Sequence, residues 1–489
     1  TSLYVSQLNA VLQHGQPTGN PYFVENQHQI GRFYIFGTLF SFIPLAEKVP
    51  IGWWLIIFKI TVAISVFYLF ARLLALFSSP VELAYIFSFI FVLFYGAITF
   101  KGGSALYGWF LPAFLAGFII VARFFKSGTI NLAGFLILLV SPVLFAFHPL
   151  YFTVGIALSG LLWLYTFYTK RFERKILVFF LIWLAWTLFL FSKAFLPFIY
   201  PPDPNFALMV GDMAFRNTLI NTRFPFLFLF GLRYLLLVVI SGLAYRQFAK
   251  TENRSRGYLI LFLLSLIAFV GLNSYVITGK YFLNDHFPFF EEFIVIPLAV
   301  MLLFGPPIIQ TRATKLLGLA ILVVAAASIL VIWNYLNFKP VYFGAEAPQY
   351  LAYLTIGLLL FRPSLKSQVF VNYGRPLVKL LVGLAVFYII FMTFWDDKYW
   401  LPLHRQVQTY RQLVEIMSKL PAGVILANPY ISNLALVYSQ HKVYWSPIAL
   451  HDLVSSEELK QRWLVAKTFF PAEPAFDGKP AVISIFGRR

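Results

Sequence analysis

Long apolar runs succeed one another along this chain and leave few folds open to it. Twelve stretches (51–76, 81–99, 105–122, 130–147, 150–168, 176–199, 224–244, 258–278, 292–309, 316–335, 346–361 and 377–395) are dominated by Leu, Ile, Val and Phe. A helix needs about 20 mostly apolar residues to cross the roughly 30 Å hydrocarbon core of a bilayer. Interior prolines such as Pro112 and Pro142 are tolerated in such helices and leave the count standing. The sequence therefore predicts an all-α polytopic membrane bundle of about 12 transmembrane helices over 51–395. A first extracytoplasmic loop, 1–50, precedes it, and a small extracytoplasmic α/β domain, 396–489, follows. Composition agrees, with 60% of the 489 residues hydrophobic and 12% charged, against about 25% charged in soluble domains. A soluble enzyme and a disordered chain are excluded on that ground. Zero Cys excludes disulfides, thiolate metal sites and cysteine nucleophiles.

The net charge of +19 invites a nucleic-acid partner until its placement is read. Alternate loops carry sixteen Lys and Arg, among them Arg123, Lys126, Arg174, Lys175, Arg246 and Arg256, whereas the opposite set carries five. Lys and Arg favour the cytoplasmic side in short loops, so residues 1–50 and 396–489 are expected outside. The positive charge is then a topology signal and no nucleic-acid partner is expected. The expected location is the cell (plasma) membrane, crossed many times, with the C-terminal domain extracytoplasmic. All seven His fall on the predicted outer side, as do Glu25, Asp285, Glu291 and Glu292. Acid–base and metal-ligating groups thus collect on one face.

Several constellations there have chemical potential. Leu3, Val5, Leu8, Val11 and Leu12 recur at near-helical spacing, predicting a short amphipathic surface helix before a Gly- and Pro-punctuated loop. Glu25 and His28 follow three apart and would share a helix face. Such a pair suits acid–base chemistry or a divalent metal ion, the cofactor these groups could hold. A second loop gathers Lys280, Asp285, His286, Glu291 and Glu292. Neighbouring carboxylates raise each other's pKa, and Asp beside His suits metal or phosphate work. His148 sits at an outer helix junction, and Asp212 and Arg216 are spaced i, i+4. Arg233 falls within an apolar run, where a guanidinium would pair with another helix or meet a lipid phosphate.

The C-terminal segment changes character after Trp395. Residues 404–420 are spaced as a helix, 424–427 and 442–445 as strands, 431–439 as a helix between them, and 481–486 as a further strand. Ser455 and Glu458 form a capping box before 459–469. No phosphate loop, nucleophile elbow or zinc signature is present in it.

Tyr4 through Phe23, the Thr278-Gly279-Lys280…Asp285-His286-Phe287 stretch and Ala427-Asn428-Pro429…Tyr444-Trp445 together resemble the GT-C superfamily of membrane glycosyltransferases. The likeness covers most of the chain in architecture and about 50 residues in motif. It implies transfer of a sugar from a polyprenyl-phosphate-linked donor to a glycan, lipid or protein acceptor outside the cytoplasm, with membrane lipid as surroundings. On that likeness Glu25, Asp285 and His286 would be catalytic, and Tyr4, His28, His148, Arg216, Arg233 and Lys280 would bind substrate. The family's acidic residue normally precedes the Tyr4 equivalent, so a further apolar helix and a carboxylate are expected upstream of Thr1. Two other classes share the span count: a polytopic transporter or lipid flippase, and a non-catalytic membrane assembly protein. A transporter should show internal repeats, and none is visible.

Overall fold

Helices stand where the apolar runs are. A computed structural model of the chain describes residues 51–77, 110–126, 130–146, 149–170, 173–194, 224–247, 252–278, 294–304, 410–428 and 456–470, with parts of 81–92, 315–326, 355–390 and 431–445. In chain order come α1 (Ile51–Ala75), α2 (Phe110–Lys126), α3 (Leu132–Leu138), α4 (Ser141–Phe145), α5 (Pro149–Lys170) and α6 (Arg174–Ala194). Then follow α7 (Phe224–Gln247), α8 (Glu252–Thr278) and α9 (Ile296–Phe304). The C-terminal segment adds α10 (Arg411–Lys419), β1 (Val424–Ile425), β2 (Lys442–Val443) and α11 (Ser456–Phe469).

The expected bundle of about twelve transmembrane helices is corrected by these residues. Among the described residues, two helices are long and apolar enough to cross a membrane, Leu150–Thr169 on α5 and Arg174–Ser192 on α6. The other described apolar stretches, including Ile60–Ala75, Leu132–Phe145 and Arg256–Gly271, are 10–17 residues long. An all-round apolar helix is either a span or the buried centre of a helical core, and hydropathy alone does not separate the two. In α5 the ambiguity is concrete, because 61% of its apolar window is buried against neighbours. The multi-pass location in the cell membrane and the membrane-embedded sugar transfer rested on the larger count and fall with it. So do the transporter, flippase and assembly readings that shared it.

The run 130–147 shows how a count of apolar residues overshoots. Asn131 caps α3, its Oδ1 accepting the Gly134 N–H at 2.7 Å, which satisfies one of the orphan donors of a helix start. The helix then stops after Leu138 and restarts as α4 at Ser141, with Pro142 in the first turn. Proline has no N–H to donate to the carbonyl four residues back. Ser141 Oγ takes over that acceptor, donating to Leu138 O at 2.8 Å. The indole Nε1 of Trp186 donates to Leu139 O at 2.9 Å. Pro112, by contrast, lies in the first turn of α2, where the missing N–H is an orphan in any case.

Aromatic side chains fill the core between α2, α4, α5 and α6. Phe145 is fully buried, and its ring lies between Gly117 of α2 and Gly155 of α5. Phe114 stacks on Tyr151 with ring centroids 5.0 Å apart. Phe135 of α3 stacks on Phe179 of α6 at 4.2 Å. Trp163 is buried among Phe124, Phe125, Phe180 and Trp183. Helices α7 and α8, joined by a short connection, make the most extensive helix pair, as expected of an αα-hairpin. Tyr258 of α8 donates its hydroxyl to Leu302 O of α9 at 3.0 Å, and Ser88 Oγ donates to Phe67 O of α1 at 2.6 Å.

The C-terminal segment has a core of its own, built from Met417, Ala435, Val443, Trp445, Leu459, Trp463 and Ala466. Strands β1 and β2 pair in parallel, Val424 opposite Lys442 and Ile425 opposite Val443. Parallel pairing needs a crossover of a dozen or more residues, and the helical residues 431, 432, 434 and 435 lie within that connection. Asn428 Oδ1 starts it, accepting the Ile431 N–H at 2.9 Å. The strand expected over 481–486 lies outside the described residues.

Candidate functional site

Two surface features of the helical body stand out, an apolar face and a cationic end. The apolar face is clearest on α6. Ile176, Phe179, Trp183 and Thr187 form its buried stripe at i, i+3 and i+4 spacing, as a helix packed on one side requires. The other side of such a helix is normally polar. On α6 it is Leu177, Val178, Leu181, Ile182, Leu188 and Phe189, all exposed. Only 22% of its apolar window is buried. Phe135 and Trp186 tie α3 to α6, and α3 presents Leu132, Leu136 and Ile137 outward beside it. Water-facing surfaces rarely hold contiguous apolar patches larger than a few hundred Å².

The cationic end follows from alternating chain direction. Tertiary contacts bring together the C-terminal ends of α1, α2, α5 and α7 and the N-terminal ends of α6 and α8. Lys126 Nζ donates to Leu76 O, just beyond α1, at 2.7 Å. Arg256 of α8 donates to Lys126 O at the end of α2. Each cation thus meets a helix C-terminal carbonyl, where the macrodipole favours positive charge. Tyr165 and Tyr245 pair their hydroxyls at 3.3 Å, joining α5 to α7. Phe167 meets Phe180 edge-on at 5.2 Å, joining α5 to α6.

Arg72, Arg123, Arg174, Lys175 and Arg246 stand at this same end, with Glu82, Glu173 and Glu252 as the carboxylates among the described residues there. Burial first, and the nearby Arg256 second, push the Lys126 ammonium below the ordinary lysine range. Exposed tyrosines rim the cations: Tyr68, whose hydroxyl accepts from Arg72 Nε at 3.0 Å, and Tyr168. Among residues 51–304 every described charged side chain belongs to this end.

Tyr4, Glu25, His28, His148, Arg216, Lys280, Asp285 and His286 lie outside the described residues. Arg233 stands on the backbone of α7, and its side chain is likewise outside them. Among the described residues no group of three or more His, Asp or Glu is arranged to hold a metal ion. Sequence reading treated the loop cations as orientation markers only. Their convergence was visible in the alternation of basic loops, because helices of alternating direction return every second loop to one end.

No family model matches this chain, and neither does any curated protein or solved structure.

Proposed function

We propose that the helical body binds lipid, with the outward face of α6 packed against acyl chains. One observation carries the reading: α6 is apolar all round, yet 22% of its window is buried by protein. Burial of apolar area contributes roughly 25 cal/mol per Å². Six large apolar side chains, Leu177 through Phe189, gain that contribution against hydrocarbon and forgo it in water. The neighbouring outward side chains of α3 extend the same surface.

The Cys-free chain makes the test direct. A single cysteine is placed at Ile182 or at Leu188, labelled with bimane, and the full chain is reconstituted in phosphatidylcholine vesicles. Brominated acyl chains should quench both labels, and aqueous iodide should quench neither. Quenching by iodide without quenching by bromolipid would overturn the proposal.

A further inference from the structure

Lipid against α6 gives the cationic end a partner. Resting on that lipid reading, we infer that this end binds the phosphates of anionic lipid headgroups, so that the helical body sits in a lipid layer with one defined orientation. Along α6 the order of residues is the order of layers in half a bilayer. Arg174 and Lys175 come first, and apolar side chains run from Leu177 to Phe189, about 18 Å at 1.5 Å per residue. The boundary is repeated on the other helices. Tyr68 lies one turn before Arg72 on α1, Tyr168 stands at the end of α5, and Tyr245 precedes Arg246 on α7. Tyrosine, with an apolar ring and a polar tip, favours the headgroup level.

Charge complementarity selects the headgroup. The described residues at this end include nine Lys and Arg against three Glu. Two of the cations, Lys126 and Arg256, already meet backbone carbonyls. Arg123, Arg174, Lys175 and Arg246 keep exposed side chains, and guanidinium forks match phosphate oxygens. A free phosphate compound or a nucleic acid offers the same anionic chemistry. Neither would account for an apolar wall that begins directly below the cations.

The experiment uses the full chain in vesicles containing spin-labelled phosphatidylglycerol or spin-labelled phosphatidylcholine, reading how much of each is immobilised at the protein surface. Basic residues near an anionic surface act additively at low salt. We expect phosphatidylglycerol to be enriched roughly tenfold. The enrichment should fall toward unity when Arg123, Arg174, Lys175 and Arg246 are all changed to Gln, and fall only in part when the three arginines are changed to Lys, which keeps the charge without the fork. Equal enrichment in the native chain and the Gln variant would overturn the inference. So would its loss on adding soluble phosphate, or tight binding of an RNA oligonucleotide in place of lipid. Bimane quenching at Ile182 in pure phosphatidylcholine reads acyl contact alone. Failure there sinks the lipid reading, whereas intact quenching without headgroup preference sinks only this inference.

Discussion

The ring of Phe145 occupies the space a side chain would need at Gly155. A β-carbon built on Gly155 would stand 2.5 Å from both Cγ and Cε2 of that ring. On the opposite side, one built on Gly117 would stand 2.7 Å from Cε1. The ring is fully buried and held between two helices, so it has nowhere to retreat. Gly155→Ala should therefore destabilise the helical body by about 1–3 kcal/mol, despite the usual helix-propensity gain of Ala over Gly. Denaturant unfolding of the full chain in detergent checks this. The double variant Gly155→Ala, Phe145→Leu should recover part of the loss, and an unchanged midpoint in the single variant would contradict the packing.

Arg462 ties the C-terminal core together from α11. It is nearly buried, and its Nε and Nη2 donate to Glu458 Oε1 at 3.0 and 2.9 Å. Its Nη1 donates to Tyr444 O at 3.2 Å, while the guanidinium lies 5.1 Å from the centre of the Tyr444 ring. Arg462→Ala removes two hydrogen bonds to the Glu458 carboxylate and one to the Tyr444 carbonyl, at a cost of about 1–2 kcal/mol. Lys, with one ammonium in place of a planar fork, should not restore it. A double-mutant cycle with Glu458→Gln, read by hydrogen exchange of amides 424–443 in the full chain, should give a positive coupling energy. Zero coupling would mean that the pair is decorative.

Several helices of this protein are legible in the sequence as apolar runs. Apolar runs at 150–168 and 176–199 overlap α5 and α6, while α11 begins at Ser456, so Glu458 stands inside its first turn and Ser455 lies outside the described residues. What the runs are for is not legible there. Leu158 and Leu188 are the same residue in two apolar runs, yet one is fully buried and the other exposed. Which side of an all-apolar helix meets protein is set by tertiary contacts that hydropathy does not encode. Pro142 is tolerated because the Ser141 hydroxyl takes the one carbonyl it strands, that of Leu138, while an indole from α6 takes the carbonyl of Leu139, and neither partner is legible in the run itself. Asp285 and His286 are candidates by their loop chemistry alone, and both fall outside the described residues.

Lys442 makes stability of the C-terminal segment depend on pH. Burial on β2 lowers its pKa from the ordinary lysine value. The unfolded chain then binds more protons than the folded one between the lowered value and about 10.4. Stability should rise with pH through that window and be lowest where the ammonium is charged in both states. Lys442→Met, which keeps the aliphatic stem, should raise the denaturant midpoint at neutral pH and flatten the rise. Hydrogen exchange of residues 411–469, corrected for intrinsic rates, provides the measurement. A steeper pH dependence in the Met variant would contradict the assignment.

Charge placed on α6 separates a lipid-facing surface from a water-facing one. Leu181 is exposed and lies two turns from Arg174, whereas Leu177 is exposed within one turn of it. In water, Leu→Arg at either exposed position should change stability by no more than about 0.5 kcal/mol. Against acyl chains an arginine deep in the layer costs about 2.5–3.5 kcal/mol, while one near the headgroups snorkels. Leu181→Arg should therefore lower the denaturant midpoint of the vesicle-reconstituted chain far more than Leu177→Arg. The difference should shrink when the bilayer is replaced by a detergent that lets water reach the face. Equal and small effects at both positions in lipid would place α6 in water and remove the basis of the proposed lipid binding.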